Sequence, residues 1–284
     1  MPDFSPLIVE RTRDFTGREW VFTAIDAWLA AQPAARFFLI TGEPGSGKTA
    51  IAARLAQFSA GHMEPPGNCT HLKREFLSGL YFCSARDHHW INPHTFTETL
   101  AGQLAARYAE FATALLAGNQ AQEMHFTVRQ SVGDVSAGQV IGIHIEHIDF
   151  KGVSPEDAFQ WAVRKPLEAL LHGRPDLQIV ILLDSLDEAL NYDGKISIAS
   201  LITGTEYLPA GVRFIVTTSP EVDILRQLRG LSPAPSELPL THGEADINSD
   251  QDIRRYIQDA THSELAMHSK PYIHDTYWSG GTVR

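Results

Sequence analysis

Eight residues, Gly42-Glu43-Pro44-Gly45-Ser46-Gly47-Lys48-Thr49, constrain this chain more than any other stretch. They have the spacing G-x-x-x-x-G-K-[ST] and follow a short apolar run, Arg36 to Thr41. After them Ala50, Ile51, Leu55 and Phe58 recur at helical spacing. Strand, glycine-rich turn and helix together make a phosphate cradle. The glycines permit a turn tight enough for successive backbone N–H groups to face one anion, and the following helix points its positive end at the same charge. Lys48 adds a full positive charge between the β- and γ-phosphates of a nucleoside triphosphate, and the Thr49 hydroxyl offers Mg²⁺ an oxygen ligand. Residues 42–50, from Gly42 to Ala50, are therefore the expected contacts of bound ATP or ADP.

A second signal lies far along the chain. Gln178 to Leu183 is continuously apolar, the mark of a strand buried on both faces of a parallel sheet. It delivers Asp184-Ser185-Leu186-Asp187-Glu188 at its end. Asp184, at the tip, is suited to hold Mg²⁺ through water. Glu188, one turn further, is suited to orient and deprotonate the water that attacks the γ-phosphate, with Asp187 as a second acid.

The intervening pattern alternates strands with helices. Gly79 to Ser84 and Val212 to Thr217 are further strand candidates, and Thr16-Gly17-Arg18-Glu19 has the spacing of a capping box opening a helix. Asn92-Pro93 begins a long helix whose stripe runs through Phe96, Leu100, Leu104, Tyr108, Phe111 and Leu115. Ser154-Pro155 begins another, with a kink expected at Pro166. Residues 119–153 break the alternation, and Ile141, Ile143 and Ile145 at period two predict a β-rich insertion. The expected fold is α/β, three layers around a mostly parallel sheet, with the ligand beyond the carboxyl ends of the strands. The predicted division is an extension over 1–15, a core over 16–242, and a helix with a disordered tail over 243–284.

Composition narrows the function. A net charge of −11 argues against nucleic acid as the main partner, since phosphate binding needs a basic footprint. Two cysteines, Cys69 and Cys83, make no disulfide framework or zinc site, which suits a reducing compartment and predicts a cytoplasmic protein. No apolar run approaches the ~20 residues of a membrane helix. Thirteen histidines are present, but the groups His62, Cys69 and His71, or His88 and His89, lack zinc-site spacing, so no metal besides Mg²⁺ is expected.

The motifs in this order resemble the nucleotide-binding core of NACHT-type ATPases, members of the signal-transducing STAND class of P-loop NTPases. The resemblance rests on the phosphate loop and on Asp184-Ser185-Leu186-Asp187-Glu188, which is similar to a NACHT Walker B motif. Gly17-Arg18-Glu19, Tyr81-Phe82-Cys83-Ser84-Ala85 and Asp252-Ile253-Arg254-Arg255-Tyr256-Ile257 are further matches. It implies Asp184 as the Mg²⁺ ligand, Glu188 as the catalytic base and Arg18 near the adenine end of the nucleotide. Val216-Thr217-Thr218-Ser219-Pro220 falls where such proteins carry a sensor arginine, and Ser219 takes the arginine's place. A serine brings no positive charge to the γ-phosphate, so weakened sensing or slow turnover is implied, with Thr217 or Thr218 left to hydrogen-bond. Effector, winged-helix and repeat segments typical of the class are not evident. The resemblance thus implies separate protein partners or a homo-oligomer, and a signalling ATPase; the alternatives are a non-hydrolysing nucleotide-holding scaffold or another AAA-like ATPase.

Overall fold

Phe37–Thr41 forms the central strand β1, and every one of its residues is buried. In the computed structural model the described residues are 1–31, 35–119, 125–133, 140–150, 152–204, 208–220 and 223–240. β1 pairs in parallel with β6 (Val212–Thr218) on one side and β7 (Ser236–Pro239) on the other. β6 pairs with β5 (Ile179–Asp184), and β5 with β2 (Gly79–Phe82), again in parallel. The five-stranded order is β2-β5-β6-β1-β7. All of β5 and all of β6 are buried, so both faces of the middle of the sheet are covered, which is why these segments read as continuous apolar runs. The order has one functional consequence. β6 separates β1 from β5, and all three strands end on the same edge of the sheet.

Helices complete the α/β fold. The chain continues from the phosphate loop into α3 (Lys48–Ala60), which packs on β5 and β6, while α5 (Pro93–Arg107) packs on β2. Residues 1–15, read from sequence only as an extension, contain α1 (Ser5–Thr12), which lies against α3. The helix is anchored by Phe4, whose ring meets Tyr81, Phe82 and Trp90 at centroid distances of 5.3, 5.3 and 5.0 Å. A mixed, Pro-containing segment concealed this because Phe4's partners are some eighty residues away.

Three local expectations change. The single long helix divides into α5 and α6 (Ala109–Asn119), because Tyr108 is extended at φ −124° and ψ 108°. The break lets the Tyr108 hydroxyl reach Ser78 Oγ at 2.9 Å, beside Arg107, which donates to the Leu77 carbonyl at 2.7 Å. These contacts outweigh helical continuity. The helix read from the capping-box spacing at Thr16–Glu19 starts later than that spacing implies: α2 (Glu19–Ala30) begins from Arg18, which stands in the left-handed region and makes no side-chain cap bond. Before Pro166 the helix from Pro155 widens into a π-turn over Gln160–Arg164, between α7 (Pro155–Phe159) and α8 (Lys165–Gly173). Proline supplies no N–H to the preceding turn, and the wider turn is the local answer.

The insertion is an antiparallel hairpin, β3 (His125–Gly133) with β4 (Val140–Asp149), whose register shifts between Thr127 and Val128. Its base docks on α5, where Glu98 Oε1 accepts from the Ile148 amide at 3.0 Å and lies 2.6 Å from His147 Nδ1. At the β2 edge of the main sheet, Gln103 imitates a neighbouring strand. Its Oε1 accepts from the Leu80 amide at 2.7 Å and its Nε2 donates to the Leu80 carbonyl at 3.0 Å, closing an edge otherwise open to another chain. The expected helix over Asp252–Ile257 and the tail over 243–284 lie outside the described residues.

Phe4 is 5% exposed, so Phe4→Ala should remove about 3–5 kcal/mol of stability. Urea unfolding at constant m-value measures this, and a loss below about 1 kcal/mol would mean that the amino-terminal segment is not part of the core.

Candidate functional site

The loop Gly42–Thr49 connects β1 to α3 at the carboxyl edge of the sheet. Gly45 and Gly47 have φ of 86° and 91°, a region that side chains disfavour, and Gly47 is the residue from which α3 starts. Gly42 is required for a different reason: a Cβ there would lie 2.6 Å from Ser46 Oγ and 3.2 Å from Leu240 Cβ. The Ser46 amide donates to the Glu43 carbonyl at 3.1 Å, closing the turn. Lys48 is buried, with its Nζ donating to the Gly42 carbonyl at 2.5 Å and the Glu43 carbonyl at 3.1 Å. The ammonium is thus held by dipoles of the loop itself. Glu43, Pro44 and Gly45 are exposed at its crest, and Thr49 and Ala50 open the helix.

Across β6 stands the acidic strand end. Asp184 is 1% exposed; its Oδ1 accepts from Thr217 Oγ1 at 2.6 Å and its Oδ2 from Ser185 Oγ at 3.0 Å. Burial raises its pKa above the usual carboxylate range, while hydrogen bonds from the Thr217, Thr49 and Ser185 side chains oppose that rise. The influence of Thr49 on Asp184 relates the foot of the phosphate loop to the end of β5. Thr217 Oγ1 also accepts from the Ser185 amide at 2.8 Å, and its carbonyl accepts from the Leu186 amide at 3.0 Å. One threonine of β6 therefore fixes the turn that carries Asp187 and Glu188.

Ser185 makes that turn in the left-handed region, at φ 55°. The conformation costs a non-glycine residue roughly 1–2 kcal/mol, offset here by the bond to Asp184. Beyond it, Asp187 Oδ2 accepts from Ser219 Oγ at 2.5 Å. Glu188 Oε2 accepts from the Ala85 amide at 2.7 Å, in the loop that follows β2. The sequence pattern brought forward Asp184, Asp187, Glu188, Thr217 and Lys48, and the fold gathers them at one rim. It did not foresee the Ala85 amide or the Ser219–Asp187 bond, because these join residues 103 and 32 positions apart. Cys83 was also missed as a neighbour: buried behind the acids, its thiol is pushed well above its ordinary pKa by desolvation and by Asp184, Glu188 and Asp187. Arg18, expected near the base, donates from Nη2 to the Ser46 carbonyl at 3.0 Å.

Three buried oxygens along this rim, Ser46 Oγ, Asp187 Oδ1 and Thr218 Oγ1, have no hydrogen-bond partner. Buried polar atoms are rarely left unsatisfied, and three others among the described residues, Trp28 Nε1, Gln57 Oε1 and Arg213 Nε, stand elsewhere in the fold. No group of three or more His, Cys, Asp or Glu among the described residues is placed to hold a metal. A Mg²⁺ ion takes one or two protein ligands in nucleotide sites, with the remainder from phosphates and water. Thr49 and Asp184 fit that role.

No helix among the described residues is long and apolar enough to cross a membrane. No curated protein matches the chain. The sequence model of the AAA ATPase domain matches residues 14–216, a span that runs from just before Gly17 into β6, ending one residue short of Thr217, and includes the phosphate loop and the acidic strand end. With a five-stranded parallel sheet and β6 between the two motif-bearing strands, the chain belongs to the AAA ATPase domain family, within the P-loop NTPases.

Proposed function

We propose that the chain binds ATP with Mg²⁺ at Gly42–Thr49 and hydrolyses it slowly, as the nucleotide-driven core of a NACHT-like signalling switch. The observation that carries the ATP reading is the phosphate loop itself, with Gly45 and Gly47 at positive φ directly before α3 and Lys48 buried against the loop carbonyls. Backbone N–H groups of the loop take the β-phosphate, and Lys48 exchanges the Gly42 and Glu43 carbonyls for phosphate oxygens. Thr49 and Asp184 hold Mg²⁺, which when bound neutralises charge on the β- and γ-phosphate oxygens. Thr217 keeps Asp184 oriented. Glu188 orients the attacking water and takes its proton as the new oxygen–phosphorus bond forms and the bond to the β-phosphate oxygen breaks, releasing ADP and phosphate. Asp187, with one oxygen committed to Ser219, presents the other to the same water.

The NACHT reading rests on the order of the motifs and on Ser185. Ser185 is the small residue of that acidic motif, Asp184-Ser185-Leu186-Asp187-Glu188. The signalling role and homo-oligomeric or separate protein partners follow from that resemblance. A second reading, a scaffold that holds nucleotide without hydrolysis, is favoured by two details: Ser219 brings no cation, and Glu188 is already engaged by the Ala85 amide.

Turnover of Mg-ATP by the purified chain should fall about 10²–10⁴-fold in Glu188→Gln while nucleotide binding persists, and both should be lost in Lys48→Ala. Binding without turnover in the parent chain would select the scaffold instead. Because Thr49 and Asp184 would supply only two protein oxygens, Mg²⁺ alone should leave the melting temperature nearly unchanged. Mg-ATP at a hundredfold excess over its Kd should stabilise by about 2.7 kcal/mol; an equal shift with Mg²⁺ alone contradicts the assigned metal site. Light scattering in apo, ADP and ATP states should report a nucleotide-dependent size, and one size throughout would remove the switch.

A further inference from the structure

Arg18 unites a strained backbone with a long-range bond to the phosphate loop. Gly17 and Arg18 are consecutive left-handed residues, at φ 72° and 64°, directly before α2. The conformation is disfavoured for arginine, and such departures persist where the surrounding structure requires them. Here the turn sends the guanidinium across 28 residues to the Ser46 carbonyl, at 3.0 Å.

The carbonyl that it reaches belongs to the Ser46–Gly47 peptide, in the stretch Gly45-Ser46-Gly47. In a trans peptide the C=O and the next N–H point in opposite directions, so a partner for the Ser46 carbonyl also aims the Gly47 N–H. Glycines at 45 and 47, both at positive φ, leave this short segment few steric restraints of its own. An external clamp is what selects one orientation. The bond is charge-assisted and partly buried, which strengthens it and limits competition from water.

We propose that Arg18 is a positioning residue of the phosphate loop: by holding the Ser46 carbonyl it keeps the Gly47 N–H turned toward the bound phosphate, and it does not read the base. The inference rests on the nucleotide-binding reading of Gly42–Thr49 and deepens it. It differs from a place at the adenine end in one measurable respect, since inorganic tripolyphosphate has phosphates and no base.

Binding of ATP and of tripolyphosphate is measured by calorimetry for the parent chain, Arg18→Ala and Arg18→Lys, each with its ligand-free melting temperature. Arg18→Ala should weaken both ligands by the same factor, on the order of tenfold, with an unchanged ligand-free melting temperature. Arg18→Lys, which keeps a cationic donor, should recover part of each loss. In ¹⁵N-labelled protein the Gly47 amide signal should shift on adding tripolyphosphate to the parent chain, and much less in Arg18→Ala. Loss of ATP affinity with tripolyphosphate unaffected would make Arg18 a base reader, and no loss in either would make it a bystander; both overturn the proposal. An equal loss with an unmoved parent Gly47 signal overturns it as well. Failure of the parent chain to bind either probe removes the phosphate-loop reading itself, a result distinct from all of these.

Discussion

Much of the candidate site depends on one threonine. Thr217, near the end of β6, donates to Asp184 and accepts from the Ser185 amide, while its carbonyl takes the Leu186 amide. This is possible only because β6 lies between β1 and β5. The parallel register sets Thr217 beside Ile40 at the root of the phosphate loop, and the preceding Val216 beside Leu183 at the root of the acidic turn. Strand pairing thus places the root of the phosphate loop beside Thr217, whose side chain and carbonyl hold the acidic turn.

The distribution of charge and strain around that tie is consistent with a site prepared for a polyanion. Lys48 and Asp184 are both buried, and each is satisfied by neutral dipoles or hydroxyls: the lysine by loop carbonyls, the aspartate by Thr217 and Ser185. Desolvation raises the Asp184 pKa, and the hydroxyl donors around it oppose that rise. Left-handed Arg18 and Ser185 flank the same rim, as do the unpartnered oxygens of Ser46, Asp187 and Thr218. Unsatisfied groups and strained residues cost stability, and they collect at functional sites because the binding partner supplies the missing interactions.

The parts legible in the sequence were those whose cause is local. The glycine spacing of 42–47 and the apolar run before Asp184 announce themselves because a tight turn and a fully buried strand need particular residues in succession. The alternation of strands and helices followed from the same runs, and the insertion's period-two isoleucines fell in an observed hairpin. What escaped depends on partners distant in the chain. Tyr108 breaks a helix that periodicity continues, because Ser78 waits for its hydroxyl. Thr16–Glu19 has the spacing of a capping box, yet Arg18 adopts a left-handed turn whose side chain bonds Ser46. The docking of Phe4 and the Glu188–Ala85 contact have no local signal at all.

A structure of the chain with a non-hydrolysable ATP analogue and Mg²⁺ tests the central claim most directly. The account predicts the β-phosphate within Gly42–Thr49, Lys48 Nζ moved from the Gly42 and Glu43 carbonyls onto phosphate oxygens, and the metal between Thr49 and Asp184. An analogue bound elsewhere, or one at this rim with Lys48 still on its loop carbonyls, would contradict it.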